Sequence, residues 1–263
     1  MPQSIIFVHG MFMGPRCWDA WVARFTAAGY RCVAPAWPVG HAEDPAELRR
    51  RHPDPAVGAL TLDAVVGHFE NLVRAEAEPP LLVGHSMGGL IVQLLLARGV
   101  GRAGVVIDSA PPQGVFTLSW SFLRSNWPVV SPFVSEAEPV LLSVDQFRYA
   151  FAQILPREEV ARIWEDQVVP ESRRVGRAAL TPAAKIDFAR PHAPLLLIAG
   201  EIDHIIPAAL NRANFKKYRD PGSVTELKEF PGRTHFILGQ SGWEEVADYT
   251  RAFLERNTKN TAA

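Results

Sequence analysis

Gly84-His85-Ser86-Met87-Gly88-Gly89 stands between two apolar runs, Leu81-Leu82-Val83 before it and Leu90 to Ala97 after it. The first run predicts a buried strand and the second a buried helix, so the six residues make a sharp strand-to-helix turn. They read G-x-S-x-G, and at such a turn that pattern holds a serine hydroxyl exposed at the top of a sheet. Two physical demands put glycine there. The turn strains the serine backbone, and strand and helix converge where neighbouring side chains would collide. The pattern turns up by chance in many chains; its weight here comes from the strand before it and the helix after it.

The same alternation runs outward from this turn. Strands are predicted over 5–9, 31–34, 80–84 and 104–108, and helices over about 16–28, 61–76 and 87–98. The helix over 61–76 follows from Leu62, Val65, Val66, Phe69, Leu72 and Val73, which share one face at the helical period. Residues 81–83 and 104–107 are apolar throughout, as parallel strands covered on both faces are. Alternation of this kind implies a parallel sheet with right-handed crossovers. From about 113 to 188 the rhythm stops. Pro128, Pro132, Pro139, Pro156 and Pro170 punctuate short helical pieces there. Ser143-Val144-Asp145-Gln146 predicts a capping box, opening a helix with Phe147, Ala150, Phe151, Ile154 and Leu155 on one face. The sheet resumes over 194–199 and 224–230 with a helix after each, the last one turning Trp243, Val246, Thr250, Phe253 and Leu254 inward.

Three more motifs sit at strand ends. Ile5 to Val8 runs into His9-Gly10; Leu195 to Gly200 leads into Glu201-Ile202-Asp203; Val224 to Phe230 leads into Pro231-Gly232-Arg233-Thr234-His235-Phe236. A serine, an acid and a histidine in that chain order, each just past a strand, resemble the α/β-hydrolase family over about residues 4–257. The resemblance implies an α/β-hydrolase fold: a mostly parallel sheet of about six strands flanked by helices, with an inserted helical cap. Residues 1–112 and 189–258 would form the core, 113–188 the cap, and 259–263 a frayed tail.

The resemblance also implies roles. Ser86 would be the nucleophile, His235 its general base, and Asp203 the acid that orients the imidazole. The backbone amides of Met11 and Met87 would form the oxyanion hole. Asp108 also ends a strand and is the alternative acid; the Gly200 to Asp203 turn followed by Pro207 favours Asp203. Glu201 and His204 read as loop neighbours, and His9 and His85 as packing beside the site. His41, His52, His68 and His192 carry no pattern. Phe12 and Met13 on the oxyanion loop, with Trp120, Phe147, Phe151 and Phe236, are expected to wall a roofed apolar pocket.

The function implied is a serine hydrolase cleaving small to medium carboxylic esters or lactones through an acyl-enzyme, without a cofactor. Alternatives are a non-hydrolytic use of the same residues (perhydrolase or haloperoxidase-like, acyltransferase, lyase) or a non-catalytic binding module. Met11 follows His9-Gly10 where perhydrolase-type relatives often carry tryptophan, which weighs against perhydrolysis. Serine at 86 in place of aspartate weighs against haloalkane dehalogenase and epoxide hydrolase chemistry.

Composition narrows the field further. A chain of 263 residues, 48% of them hydrophobic, can bury one sizeable core with an insertion. The net charge of −1 supplies no basic field for nucleic acid. No run approaches the roughly 20 apolar residues of a membrane span, so no membrane partner is expected. Arg49-Arg50-Arg51, flanked by Glu47 and Asp54, predicts a solvated loop or helix end. No zinc-type spacing and no G-x-G-x-x-G after the first strand are present, so neither metal nor dinucleotide is expected. The first strand begins almost at once without a basic leader. A cytoplasmic monomer or homodimer acting on a small-molecule ester, with free thiols at Cys17 and Cys32, is the expectation.

Overall fold

Four apolar runs become the central strands of a six-stranded sheet, and because they have to be covered on both faces the helices divide between two sides of it. The computed structural model describes residues 2–39 and 43–258; His41 and the expected tail over 259–263 lie outside them. In chain order the first half comprises β1 (Ser4–Val8), α1 (Asp19–Ala27), β2 (Arg31–Val33), α2 (Pro45–Arg50), α3 (Pro55–Ala59), α4 (Leu62–Arg74), β3 (Leu81–His85), α5 (Met87–Ala97) and β4 (Ala103–Ile107). After β4 come α6 (Trp120–Val130), α7 (Val144–Phe151), α8 (Arg157–Gln167) and α9 (Arg173–Ala178). The chain then closes with β5 (Leu195–Gly200), α10 (Ala208–Phe215), β6 (Thr225–Phe230) and α11 (Trp243–Thr258).

All pairings are parallel, in the order β2-β1-β3-β4-β5-β6. The two-residue period of a strand sorts the core into two. Ile5, Phe7, Leu81, Val83, Val105, Ile107, Leu196 and Ile198 point to a cluster with Trp18, Trp21, Phe25 and Phe253, from around α1 and from α11. Ile6, Val8, Leu82, Val106, Leu195 and Leu197 point the other way, into a cluster with α4, α5 and the helices between β4 and β5. Phe147, Phe151, Val160 and Val175 of that insertion belong to the same cluster as the sheet face.

Several elements differ from their sequence reading. The helix expected from 16 begins as a short 3-10 turn, Pro15–Trp18, before α1. α2 and α3 are each opened by an aspartate, Asp44 or Asp54, that accepts a backbone N–H two residues on, with proline next to it. The arginine run does end a helix, but Arg49 is not simply solvated. Its guanidinium stacks on Trp164 at 4.6 Å and donates to the carbonyls of Val168 (2.6 Å) and Glu165 (2.8 Å), tying α2 to α8. The Ser143–Gln146 capping box is formed reciprocally at the head of α7. Ile154 is exposed rather than inward, because α7 stops at Phe151 and the chain turns before reaching it.

Candidate active site

β3 and α5 converge on Ser86, which has φ +55° and ψ −121°. This left-handed backbone is costly for serine and is held from both sides: Ser86 N–H donates to the Ile107 carbonyl at 2.9 Å, and its own carbonyl accepts from Ala110 N–H at 2.9 Å. A Cβ on Gly84 would overlap the Gly88 carbonyl, and one on Gly88 would overlap the Val8 carbonyl. Neither glycine has a positive φ, so close approach alone requires them. A Cβ on Gly10 would sit 2.7 Å from Ser86 Cβ and 3.3 Å from the Met87 amide nitrogen, so the turn after β1 lies directly against the strand-to-helix turn at Ser86, the elbow of the site.

His235, after β6, and Asp203, after β5, form a fully buried pair: His235 Nδ1–H donates to Asp203 Oδ2 at 2.6 Å. The other carboxylate oxygen, Oδ1, accepts from the amides of Ile205 (2.8 Å) and Ile206 (2.9 Å). These bonds fix the carboxylate and put the imidazole proton on Nδ1. Nε2 is left buried with no hydrogen-bond partner. The Phe151 ring meets the imidazole edge-on at 4.7 Å, and the His85 ring lies 4.6 Å away.

Asp108, the alternative acid, is buried behind this pair with φ +43°. Its Oδ1 accepts from Gly200 N–H at 2.6 Å. Burial and the neighbouring Asp203 charge hold its carboxyl well above the usual carboxylate range. Burial beside a second carboxyl leaves Asp108 holding its proton. His85 Nε2–H donates to the His235 carbonyl at 2.9 Å, and burial beside His235 pushes its pKa well below the ordinary histidine value. Ligand-type atoms of His85, Asp108 and His235 lie within 4.8 Å of one another. Each residue uses one of its side-chain polar atoms in the hydrogen bonds just given.

The loop after β1 is stapled in place. His9 Nδ1–H donates to the Gly10 carbonyl at 2.9 Å and Nε2 accepts from Trp37 N–H at 3.1 Å, so the ring packs the loop as expected. Phe12, with φ +69°, donates its N–H to Glu171 Oε1 at 3.1 Å and its carbonyl accepts from Val169 N–H at 3.0 Å. With the Phe12 amide committed, the Met11 amide has no acceptor among the described residues. Met87 is the first residue of α5, where amides lack intrahelical partners.

A cavity of about 190 Å³ opens above Ser86. Met11, Phe12, Met87 and Phe151 line it from among the expected residues, joined by Phe122, Leu123, Val129, Val130, Ile205 and Ile206. Four expected wall residues lie elsewhere. Met13 is buried, in a bridge to Val168. Phe147 is buried behind Phe151, stacked on it at 4.7 Å. Phe236 is buried, its N–H bound to the Phe151 carbonyl. Trp120 is 73% exposed.

The family model described as "Alpha/beta hydrolase family" matches residues 5–249. The chain belongs to the alpha/beta hydrolase family. A pyrethroid hydrolase from Sphingobium wenxiniae is 23% identical over 274 residues, 99% of this chain and 92% of that one. Among solved structures, a monoacylglycerol lipase from Paleococcus ferrophilus superposes with a TM-score of 0.67 at 20% identity, covering 97% of this chain and 95% of its own. Tomato methylketone synthase I superposes with a TM-score of 0.72 at 14% identity, covering 98% and 99%. At such identities the structural likeness shows the shared fold.

Two residues of this alpha/beta hydrolase escape a reading of its sequence. Glu171 is a lone acid in Val169-Pro170-Glu171 with no motif around it; only the fold brings it to the Phe12 amide, far away in the chain. Asn126 reaches the cavity from α6, its amide donating to the carbonyls of Phe122 (2.9 Å) and Ile205 (3.1 Å). Their signal is long-range, so local pattern does not carry it.

Proposed function

We propose that this chain is a serine hydrolase that cleaves carboxylic esters, or lactones, of small to medium size through an acyl-enzyme. The observation that carries the reading is the buried Asp203–His235 pair with Nε2 unpartnered, its ring 4.6 Å from that of His85, the residue before the strained Ser86. Ser86 Oγ attacks the ester carbonyl while His235 Nε2 takes its proton. Asp203 holds the ring in the productive tautomer and stabilises the imidazolium. The amides of Met11 and Met87 bind the developing oxyanion, each such donor contributing on the order of 10²–10³ in rate. The imidazolium returns the proton to the leaving alcohol, and water repeats the sequence to release the acid.

The cavity supports the size class. An apolar cavity of about 150 Å³ accepts benzene, so about 190 Å³ takes one apolar arm on the order of six to eight carbon atoms. The names of the relatives, a pyrethroid hydrolase and a monoacylglycerol lipase, are in keeping with ester chemistry.

Hydrolysis of short and medium p-nitrophenyl esters, with a fluorophosphonate probe alongside, tests the proposal. Wild type turns over and labels; Ser86→Ala loses labelling and at least about 10⁴-fold in turnover. Labelling without turnover would move the reading toward a non-hydrolytic reaction of the same serine. Neither signal in wild type would overturn it.

A further inference from the structure

The outer surface of α6 is unlike the rest of the molecule. Six of the ten large hydrophobic side chains exposed among the described residues fall between 116 and 133. Phe116 (72% exposed) and Leu118 (78%) lead into the helix, and Phe133 (87%) follows it, its ring 6.5 Å from Trp127. Trp120, Leu123 and Trp127, at i, i+3 and i+7, form one exposed stripe along α6. An adjoining face, carrying Phe122, Asn126, Val129 and Val130, turns to the cavity. A helix apolar over this much of its circumference has to be covered on more than one side, and here one side is open. Singly scattered apolar residues need no explanation, but a contiguous cluster marks an interaction surface.

Three features decide what covers it. First, the cluster runs into the cavity mouth: Leu123 and Leu180 are exposed and also line the cavity. A protein seated there would lie across the mouth, whereas a fluid apolar phase leaves it supplied. Second, between Asp108 and Glu136 the only charged residue is Arg124, and Asp145, across the cleft beside Trp127, is paired with Arg157 at 2.9 Å. Third, exposed tryptophans beside an arginine and the serines 119 and 121 are the composition of a helix lying in a bilayer interface. No helix among the described residues is long and apolar enough to cross a membrane, so contact of this kind is peripheral.

We propose that α6 and its flanks dock on a phospholipid bilayer surface, from which the cavity draws its substrate. Only the nature of that substrate rests on the ester-hydrolase reading; the docking does not. Flotation with phosphatidylcholine vesicles tests it, beside light scattering without lipid and hydrolysis of a water-soluble short p-nitrophenyl ester. The intact chain floats with the vesicles. Trp127→Ser/Phe133→Ser, and separately Phe116→Ser/Leu118→Ser, reduce the bound fraction by about tenfold or more, because each pair removes two large apolar side chains from the interface. Hydrolysis of the soluble ester stays within about twofold, since none of the four residues lines the cavity. Equal flotation of the variants, or none by the intact chain, would overturn the proposal. So would a dimer of the intact chain that these variants split into monomers, which would make the occupant a second copy. Flotation without any ester turnover would refute the ester reading and leave the docking standing.

Discussion

Ser86 and Asp108 end neighbouring strands with left-handed backbones, φ +55° and +43°, yet one side chain faces the cavity and the other lies sealed behind the histidine. The chemistry at Asp108 has a consequence for stability. Its carboxyl stays protonated in the fold well above 3.8, the ordinary value, while in the unfolded chain it ionises near that value. Above that pH the folded state therefore holds one more proton than the unfolded state, and stability from this group falls as pH rises. Asp108→Asn keeps an acceptor for Gly200 N–H and a donor toward Asp203 but has no proton to hold. The variant's melting temperature, minus that of wild type, should grow more positive from pH 4 to pH 8 by calorimetry. The depressed His85 is present in both proteins and cancels in the difference. A constant or shrinking difference would mean that Asp108 is ionised in the fold.

At the scale of elements, glycines that look alike in the sequence separate by what surrounds them. A Cβ at Gly88 would overlap the Val8 carbonyl, and β1 cannot retreat without breaking its pairing with β3. Gly67 lies mid-helix in α4 with nothing within 4 Å of such an atom. Gly88→Ala should cost about 1–3 kcal/mol by urea unfolding. Gly67→Ala should gain about 0.5–1 kcal/mol. Similar effects at both sites would refute the close approach at the elbow. This contrast also shows what the sequence makes legible. The strand at 81–83, the elbow, the amphipathic α4 and the capping box on α7 are local patterns whose period or spacing states the geometry directly. The cavity wall is not local. Trp120 and Phe122 belong to one short helix, yet Trp120 faces solvent and Phe122 the cavity, because the packing of α6 on α9 sets the rotation of the helix. Ile205 and Ile206 reach the cavity because their amides are fixed on Asp203, a constraint with no sequence period.

At the scale of the molecule, the insertion and the sheet share one hydrophobic cluster, in which Phe147, Phe151 and Val160 pack with Val8, Leu90 and Val106. Arg49 of α2, bonded to the Val168 carbonyl, and Glu171, bonded to the Phe12 amide, pin the seam. The insertion has no hydrophobic cluster of its own apart from the one it shares with the sheet, so it should unfold together with the sheet. The cavity lies in the seam, lined by Met11, Ser86 and Met87 below and by Phe122, Phe151 and Gly176 above. A ligand that fills it binds only the folded state and must stabilise the whole. Phenylboronic acid suits the purpose: its ring matches the cavity, and its boron can bond to Ser86 Oγ as an anionic adduct facing the Met11 and Met87 amides. At a hundredfold excess over its dissociation constant it should add about 2.7 kcal/mol and move a single calorimetric transition upward. Ser86→Ala keeps the apolar cavity but not the bond, so at the same concentration its shift should be much smaller. Two transitions, with only the later one moved by the ligand, would show that insertion and sheet fold independently and would sink the shared-core account. An equal shift in Ser86→Ala would show that the ligand binds without engaging the serine.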